Sequence, residues 1–182
     1  MERYALAHKF RTGVIMGRRQ LEKTGVHHSG TGITHSGGLW LRMEIPSDLQ
    51  RVQDIEEAVL SQCQHYSYTN RDLFALKLAI DEAVANAVKH GNRGNPEKHV
   101  RIKYRVTPHR ADVVVEDEGP GFNPASLPDP TQEDQLTSLH GRGILLMRAF
   151  MNNVVYSPTG NAVTLTKFND TPRTMEHSVA FG

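Results

Sequence analysis

The chain has 182 residues, near the size of a single domain, and its 38% of hydrophobic residues suffices for one core, so two full domains are not expected. Its 21 basic and 20 acidic residues give a formal net charge of +1, so no overall field favours binding to nucleic acid or to an anionic membrane. The single cysteine, Cys63, excludes an internal disulfide, and neither a membrane span nor a signal-peptide core is visible. We therefore expect a cytoplasmic protein with no direct nucleic-acid or membrane partner.

Residues 1–38 are predicted to be an N-terminal extension or linker. They include the stretch HHSGTGITHSGG, in which Gly, Ser, Thr and His leave no periodic pattern. The histidines of this region lack a spacing typical of metal ligands, so we interpret it as a linker and not as a metal site. These histidines are His8, His27, His28 and His35.

Regular structure is expected to begin at Leu39, where apolar and polar residues alternate as in a half-buried strand. Pro46 ends this strand. Ser47 followed by Gln50 indicates a capping box that begins a first helix, which fades near Gln64.

A second, longer helix is predicted from about Arg71 to His90, capped by Thr69 or Asn70 and stopped by Gly91. One side of this helix is apolar and should face a sheet. The apolar residues are Leu73, Leu76, Ile80, Val84 and Ala87.

The rest of the chain alternates hairpins with a long polar segment. The strand from Val100 to Val106 and the run VVVED form a predicted hairpin. The following EGPGFNPASLPDPTQEDQLTSLHGRG is either a functional lid or a disordered segment, because structureless loops of this length are uncommon in compact domains. A short helix, GILLMRAFMN, and a closing hairpin from NVVYS to AVTLTKF follow.

This order predicts an α+β two-layer sandwich, with helices on one face of a mixed, mostly antiparallel sheet. The folded domain is expected to span residues 39–168, followed by a polar C-terminal tail at 169–182. The basic residues Arg101, Lys103 and Arg105 share one strand face, which we interpret as solvated and not as a docking surface.

The second helix carries Glu82, Asn86 and His90 at four-residue intervals. Such a row is ordinarily a solvated face. Here it is flanked by Ala75, Ala79 and, a little further round, Ala85, which leave room for a ligand. A carboxylate and a carboxamide at this spacing suit Mg²⁺ and its water shell, and Glu82 could instead accept a proton from a nucleophile.

Two glycine motifs add to this pattern. Asp117 begins the sequence DEGPG at a predicted strand end; alone this would be an ordinary turn, but it lies at the mouth of the long loop. A buried Asp there can accept a hydrogen bond from an exocyclic amine such as that of adenine, and Gly119 and Gly121 would let a flat ring approach the backbone.

The second motif, Gly141-Arg142-Gly143, precedes a predicted helix. Free N–H groups and the helix dipole favour phosphate at such a position, and Arg142 could add positive charge.

Together these motifs resemble the N, G1 and G2 boxes of the GHKL ATPase superfamily, which has the Bergerat ATP-binding fold. The resemblance covers about Leu39 to Phe168. The pattern E-A-x-x-N-A-x-x-H in a chain this short is most similar to bacterial anti-sigma factor serine/threonine kinases.

The resemblance assigns a role to each motif. Glu82 would be the general base for a substrate hydroxyl, and Asn86 the Mg²⁺ ligand. Asp117 would recognise adenine, with Gly119 and Gly121 beside the ring, and the phosphates would be held by Gly141, Arg142 and Gly143. His90 either belongs to the motif or serves the helix C-terminus.

The resemblance further implies an ATP- and Mg²⁺-dependent kinase that phosphorylates an anti-anti-sigma protein of the STAS type and sequesters a sigma factor. Members of this family are commonly dimers, so a homodimer is also expected. Two alternatives remain open: an ATP-dependent binding module with little or no kinase activity, and a histidine-kinase-like catalytic domain. The presence of Glu82 favours a kinase, and the lack of heptads in residues 1–38 disfavours a histidine kinase.

Overall fold

The structure is a computed structural model that describes residues 38–126 and 139–170. The predicted linker with its histidines, most of the predicted lid, including its acidic and proline-rich centre, and the tail from residue 171 lie outside the described residues.

Five strands and three α-helices make up the part of the chain that the structure describes. The strands are β1 (Leu41–Pro46), β2 (His99–Val106), β3 (Arg110–Asp117), β4 (Asn153–Tyr156) and β5 (Ala162–Phe168). The helices are α1 (Val52–His65), α2 (Asn70–Asn86) and α3 (Leu139–Phe150), with short 3₁₀ helices at Leu49–Arg51 and Pro124–Ser126 and a π-helical turn at Ala87–Gly91. This chain order confirms the predicted sequence of elements.

The strands form one sheet in the order β1-β2-β3-β5-β4. Each neighbouring pair is antiparallel, so the described sheet has none of the parallel pairing that a mixed sheet would contain. The three helices pack on one side of it, which confirms the α+β sandwich. None of the described helices is long and apolar enough to span a membrane.

The core lies between the helices and one face of the sheet. In β2, Val100, Ile102 and Tyr104 are buried at every second residue, and in α2 Leu76 and Ile80 are buried on the side predicted from the sequence. Alternate strand residues and one helical stripe therefore meet in a single apolar layer, as the two periodicities require.

The opposite face of the sheet carries charges that pair across strands. Arg101 lies 2.6 Å from Glu118 and 3.6 Å from Glu116. Arg105 lies 2.6 Å from the buried Asp112, with its guanidinium over the Trp40 ring. Arg101 is exposed, as a solvated face predicts, whereas Arg105 is only 20% exposed and pairs with a buried carboxylate.

The beginning of α1 differs from the prediction. Asp48, and not Ser47, caps this segment, because its Oδ1 accepts a hydrogen bond of 2.9 Å from the Gln50 N–H. The Ser47 hydroxyl instead accepts a 2.7 Å hydrogen bond from the side chain of Asn92. A carboxylate is the stronger acceptor, and a short 3₁₀ helix at Leu49–Arg51 precedes α1.

Of the two caps predicted for α2, Thr69 and Asn70, the structure has Thr69. The Thr69 hydroxyl accepts a hydrogen bond from the Asp72 N–H, and the Asp72 carboxylate accepts one from the Thr69 N–H, each at 3.1 Å. Asp72 is buried and also pairs with Lys167 of β5 at 2.9 Å. Burial alone would raise the pKa of this carboxyl, but hydrogen bonds from Thr69 and Lys167 outweigh burial and lower it.

The folded chain continues past the end of β5. Asn169 is buried, its N–H donates to the His109 carbonyl at 2.9 Å, and its amide group donates to the carbonyls of Tyr66 and Pro108. These bonds tie the first residue of the predicted tail to two turns of the domain.

Candidate functional site

The polar side of α2 leaves less room for a ligand than the sequence predicted. Glu82 and Asn86 are half-buried near the end of the helix. Ala75 and Ala79, expected to leave room for a ligand, are fully buried, and α3 packs against α2. Protein therefore fills part of that room, and a ligand would approach Glu82 and Asn86 from the end of the helix.

The α-helical spacing ends at Asn86. The next five residues, Ala87–Gly91, form a π-helical turn, which is wider than an α-helical turn. The α-helical spacing on which the three-residue row was predicted therefore does not extend to His90, which lies in the π-helical turn and is exposed. The two polar residues that remain aligned are those to which chemistry was assigned.

Glu82 contacts the beginning of α3. A Cβ atom added at the buried Gly143 would overlap with Oε2 of Glu82. The carboxylate therefore lies directly against helix backbone, and a side chain at position 143 would displace it. This contact brings together residues from two of the three sequence motifs.

The third helix begins at Leu139, four residues before the predicted start at Gly143. Gly141 and Gly143 thus lie within the helix and not in front of it. Because only the first four N–H groups of a helix are free of intrahelical bonds, Gly141 contributes such a group and Gly143 does not. Arg142, between them, is exposed.

Asp117 is the last residue of β3 and is 9% exposed. Its carboxylate accepts a 2.8 Å hydrogen bond from the Gly119 N–H and lies against Gly91, where an added Cβ would overlap with it. Burial raises the pKa of this carboxyl, whereas the Gly119 N–H and the Lys98 ammonium lower it by less. A desolvated carboxylate of this kind gains from a ligand that donates a hydrogen bond to it.

Both glycines after Asp117 are required by contacts within the protein. A Cβ at Gly119 would overlap with the Gly91 carbonyl, and one at Gly121, whose φ is +70°, would overlap with the Thr159 carbonyl. The neighbouring Phe122 N–H donates to that same carbonyl at 3.1 Å. Close packing of two turns thus explains these glycines without reference to a ligand.

Sequence reasoning missed three residues that shape this site: Gly91, Asn92 and Asn161. Gly91 and Asn92 were interpreted only as turn residues that stop a helix. The Asn161 side chain donates to the Asp117 carbonyl at 3.2 Å, and its own carbonyl accepts from the Asp117 N–H at 2.9 Å. No local pattern reveals such contacts, because the partners lie 44 residues apart in the chain.

The donor set around Glu82 and Asn86 suits a cation held mainly by other ligands. Within residues 38–126 and 139–170 no three His, Cys, Asp or Glu side chains cluster as a metal site would require. Mg²⁺ commonly takes one or two ligands from protein and the others from phosphate and water, so the amide oxygen of Asn86 fits such an ion.

The fold and the three motifs define a protein of the nucleotide-binding class to which histidine kinase catalytic domains belong. Residues 45–167, more than half of the chain, match the family model described as the histidine kinase-like ATPase domain. The chain therefore belongs to this family, and the GHKL assignment drawn from its motifs is confirmed.

Within the family, the chain is similar to proteins named serine-protein kinase RsbW. The relatives in Bacillus velezensis and Bacillus subtilis are each 29% identical over 140 residues, covering 71% of this chain and 85% of the relative. The relative in Bacillus licheniformis is 30% identical over 139 residues with the same coverage. ATP is accordingly the nucleotide to which the family assignment points.

Proposed function

We propose that the protein is an ATP-dependent serine/threonine kinase that acts as an anti-sigma factor and phosphorylates an anti-anti-sigma partner of the STAS type. The observation that carries the proposal is the half-buried Glu82 carboxylate, which lies against Gly143 one helical turn from Asn86. A carboxylate can accept the proton of a substrate hydroxyl, and an amide oxygen beside it can bind Mg²⁺. The similarity to proteins named serine-protein kinases supports the same choice.

The nucleotide would lie between the end of β3 and the beginning of α3. Asp117 would accept a hydrogen bond from the adenine amine, since its carboxylate is desolvated and bonded on one side by the Gly119 N–H. The free N–H groups at the beginning of α3, among them that of Gly141, would bind phosphate oxygens, and the exposed Arg142 would add a positive charge.

The transfer itself needs little covalent chemistry from the protein. As the serine or threonine oxygen bonds to the γ-phosphorus, the bond from that phosphorus to the bridging oxygen breaks and ADP leaves. Glu82 takes the proton released by the hydroxyl. Asn86 would hold Mg²⁺, which when bound neutralises charge on the phosphate oxygens.

Calorimetric titration with ATP and ADP, with and without Mg²⁺, tests the nucleotide site. We expect the wild type to bind both nucleotides with help from Mg²⁺, Asp117→Ala to lose binding, and Asn86→Ala to lose the Mg²⁺ effect. Ser126→Ala, at an exposed residue of the 3₁₀ helix, serves as the control and should bind normally. If the wild type binds neither ATP nor ADP, the proposed nucleotide site is wrong.

Glu82→Gln separates the kinase from a module that only binds ATP. Glutamine keeps the size of the side chain but cannot accept the hydroxyl proton, so we expect normal ATP binding and no transfer from labelled ATP to STAS-domain proteins of the same organism, assayed one by one. Asp81→Asn, the adjacent acid on α2, should transfer normally. If Glu82→Gln transfers phosphate at the wild-type rate, Glu82 is not the base.

A further inference from the structure

Asn92, immediately after the π-helical turn, is a buried asparagine whose side chain bridges three segments. It is 1% exposed. Its amide group donates to the Ser47 hydroxyl at 2.7 Å and to the His99 carbonyl at 2.9 Å, and its Oδ1 accepts from the Glu118 N–H at 2.8 Å. Both polar atoms of the side chain are thus bonded, to the ends of β1, β2 and β3.

Glu118, whose N–H donates to Asn92, makes three further hydrogen bonds. Its carboxylate accepts from the His99 N–H at 3.0 Å and from Arg101 at 2.6 Å, and its carbonyl accepts from Lys98 at 3.0 Å. Glu118 follows Asp117 directly, so the path of the chain through Glu118 determines where the Asp117 carboxylate points.

Asp117 is bonded from the other side by Asn161, whose side chain donates to its carbonyl. The residue before Asn92, Gly91, lies against the Asp117 carboxylate itself. Gly91 and Asn92 therefore contact the end of β3 at two neighbouring residues: Gly91 packs against the Asp117 carboxylate, and Asn92 accepts the Glu118 N–H.

We propose that Asn92 is a positioning residue for recognition of the nucleotide base. By accepting the Glu118 N–H, it fixes the turn that aims the Asp117 carboxylate, and so determines how well adenine is preferred over guanine. This inference rests on the proposed nucleotide site at Asp117.

The test compares the dissociation constants of ADP and GDP, because a residue that only stabilises the fold would leave their ratio unchanged. In Asn92→Ala the Glu118 N–H loses its acceptor, and we expect the preference for ADP over GDP to fall about tenfold. Asn92→Asp keeps an oxygen for this N–H while losing the two donated bonds, so its preference should stay within about threefold of wild type.

Asn169→Ala is the matched control. Asn169 is also buried and also donates to two acceptors, but at the opposite end of the sheet, beside the turn between β2 and β3. It should lower the melting temperature and leave the ratio of ADP to GDP affinity unchanged.

The outcomes separate this inference from the proposed function. If the wild type prefers ADP and Asn92→Ala keeps that preference, the positioning role is wrong and the nucleotide site stands. If the wild type binds no ADP, both are wrong. Should Asn92→Ala not fold, Asn92→Leu decides, because leucine fills a similar space without an acceptor for the Glu118 N–H: a tenfold loss of preference supports the acceptor role, and an unchanged ratio contradicts it.

Discussion

Gly143 has no side chain, and this leaves space for the carboxylate of Glu82 beside α3. Its Cα faces the end of the Glu82 side chain, which is flexible enough to move away from an added methyl group. In Gly143→Ala the carboxylate should therefore shift, while α3 gains from the better helix propensity of alanine. We expect thermal stability to stay level or rise, and phosphotransfer to fall roughly 10- to 100-fold through misplacement of the base.

Gly94→Ala is the control for the phosphotransfer assay, because it should change stability and not the transfer rate. Gly94 has a φ of +66° and open space around its Cα, so alanine there strains the backbone without touching Glu82. It should lose stability and keep its transfer rate. If Gly143→Ala transfers phosphate as fast as the wild type, contact with Gly143 does not set the position of Glu82.

Site residues that lie on one helix could be predicted from the sequence, whereas a residue that depends on distant contacts could not. The motif containing Glu82 and Asn86 could be identified because both lie on one helix, where spacing fixes direction. Asn92 could not, because its burial depends on Ser47, His99 and Glu118, which only the folded sheet brings near it.

At the level of elements, the cap of α2 joins two parts of the fold. Thr69 and Asp72 satisfy each other's N–H groups, and Asp72 extends the link to Lys167 of β5. Thr69→Ala removes the hydroxyl that accepts the Asp72 N–H, so we expect a loss of about 1 kcal/mol in the free energy of unfolding.

Urea denaturation would measure this loss as a lower midpoint, provided that the m-value is the same in the wild type and the variant. Ser61→Ala is a suitable control, because the Ser61 hydroxyl is exposed in α1 and makes only a 3.4 Å bond to the Ala58 carbonyl. An equal effect of the two substitutions would show that the cap does not stabilise α2.

Helices, hairpins and caps that depend on adjacent residues could be predicted from the sequence. Those that depend on hydrogen bonds from distant residues could not. The hairpins and the Thr69 cap depend on adjacent residues. At the beginning of α1 the local pattern predicted Ser47, but the Ser47 hydroxyl accepts a bond from Asn92, a distant residue, and Asp48 is the cap.

On the scale of the whole molecule, buried carboxylates set the response to pH. Asp112 is 2% exposed; burial alone would raise its pKa, but bonds from Arg110, Arg105 and Thr166 lower it below its ordinary value of 3.8. A group with a lowered pKa stabilises the fold above its unfolded-state pKa and loses that contribution as the pH falls through its folded-state pKa. Asp117, whose pKa is raised, acts in the opposite sense. Its contribution to the stability of the fold is present at low pH and is lost as the pH rises from 3.8 through its folded-state pKa.

We therefore expect Asp112→Asn to be about 2 kcal/mol less stable than wild type at pH 7, with the difference shrinking below pH ~4. Thermal unfolding followed from pH 7 to pH 2.5 would measure this. Asp81→Asn, at a side chain that is 40% exposed, is the control and should follow the wild-type curve closely. A difference that persists unchanged into acid would contradict the role of the ionised Asp112.

The bonds made by Asn169 bear on how the domain should be produced in isolation. A truncated fragment that stops at Phe168, the last residue of β5, would remove the donors to the Tyr66 and Pro108 carbonyls and to the His109 carbonyl. Asp170, whose N–H approaches Asp72 at 3.4 Å, would be lost with them. An expression fragment should accordingly retain residues through 170, since Asn169 joins the turn between β2 and β3 to the segment that follows α1.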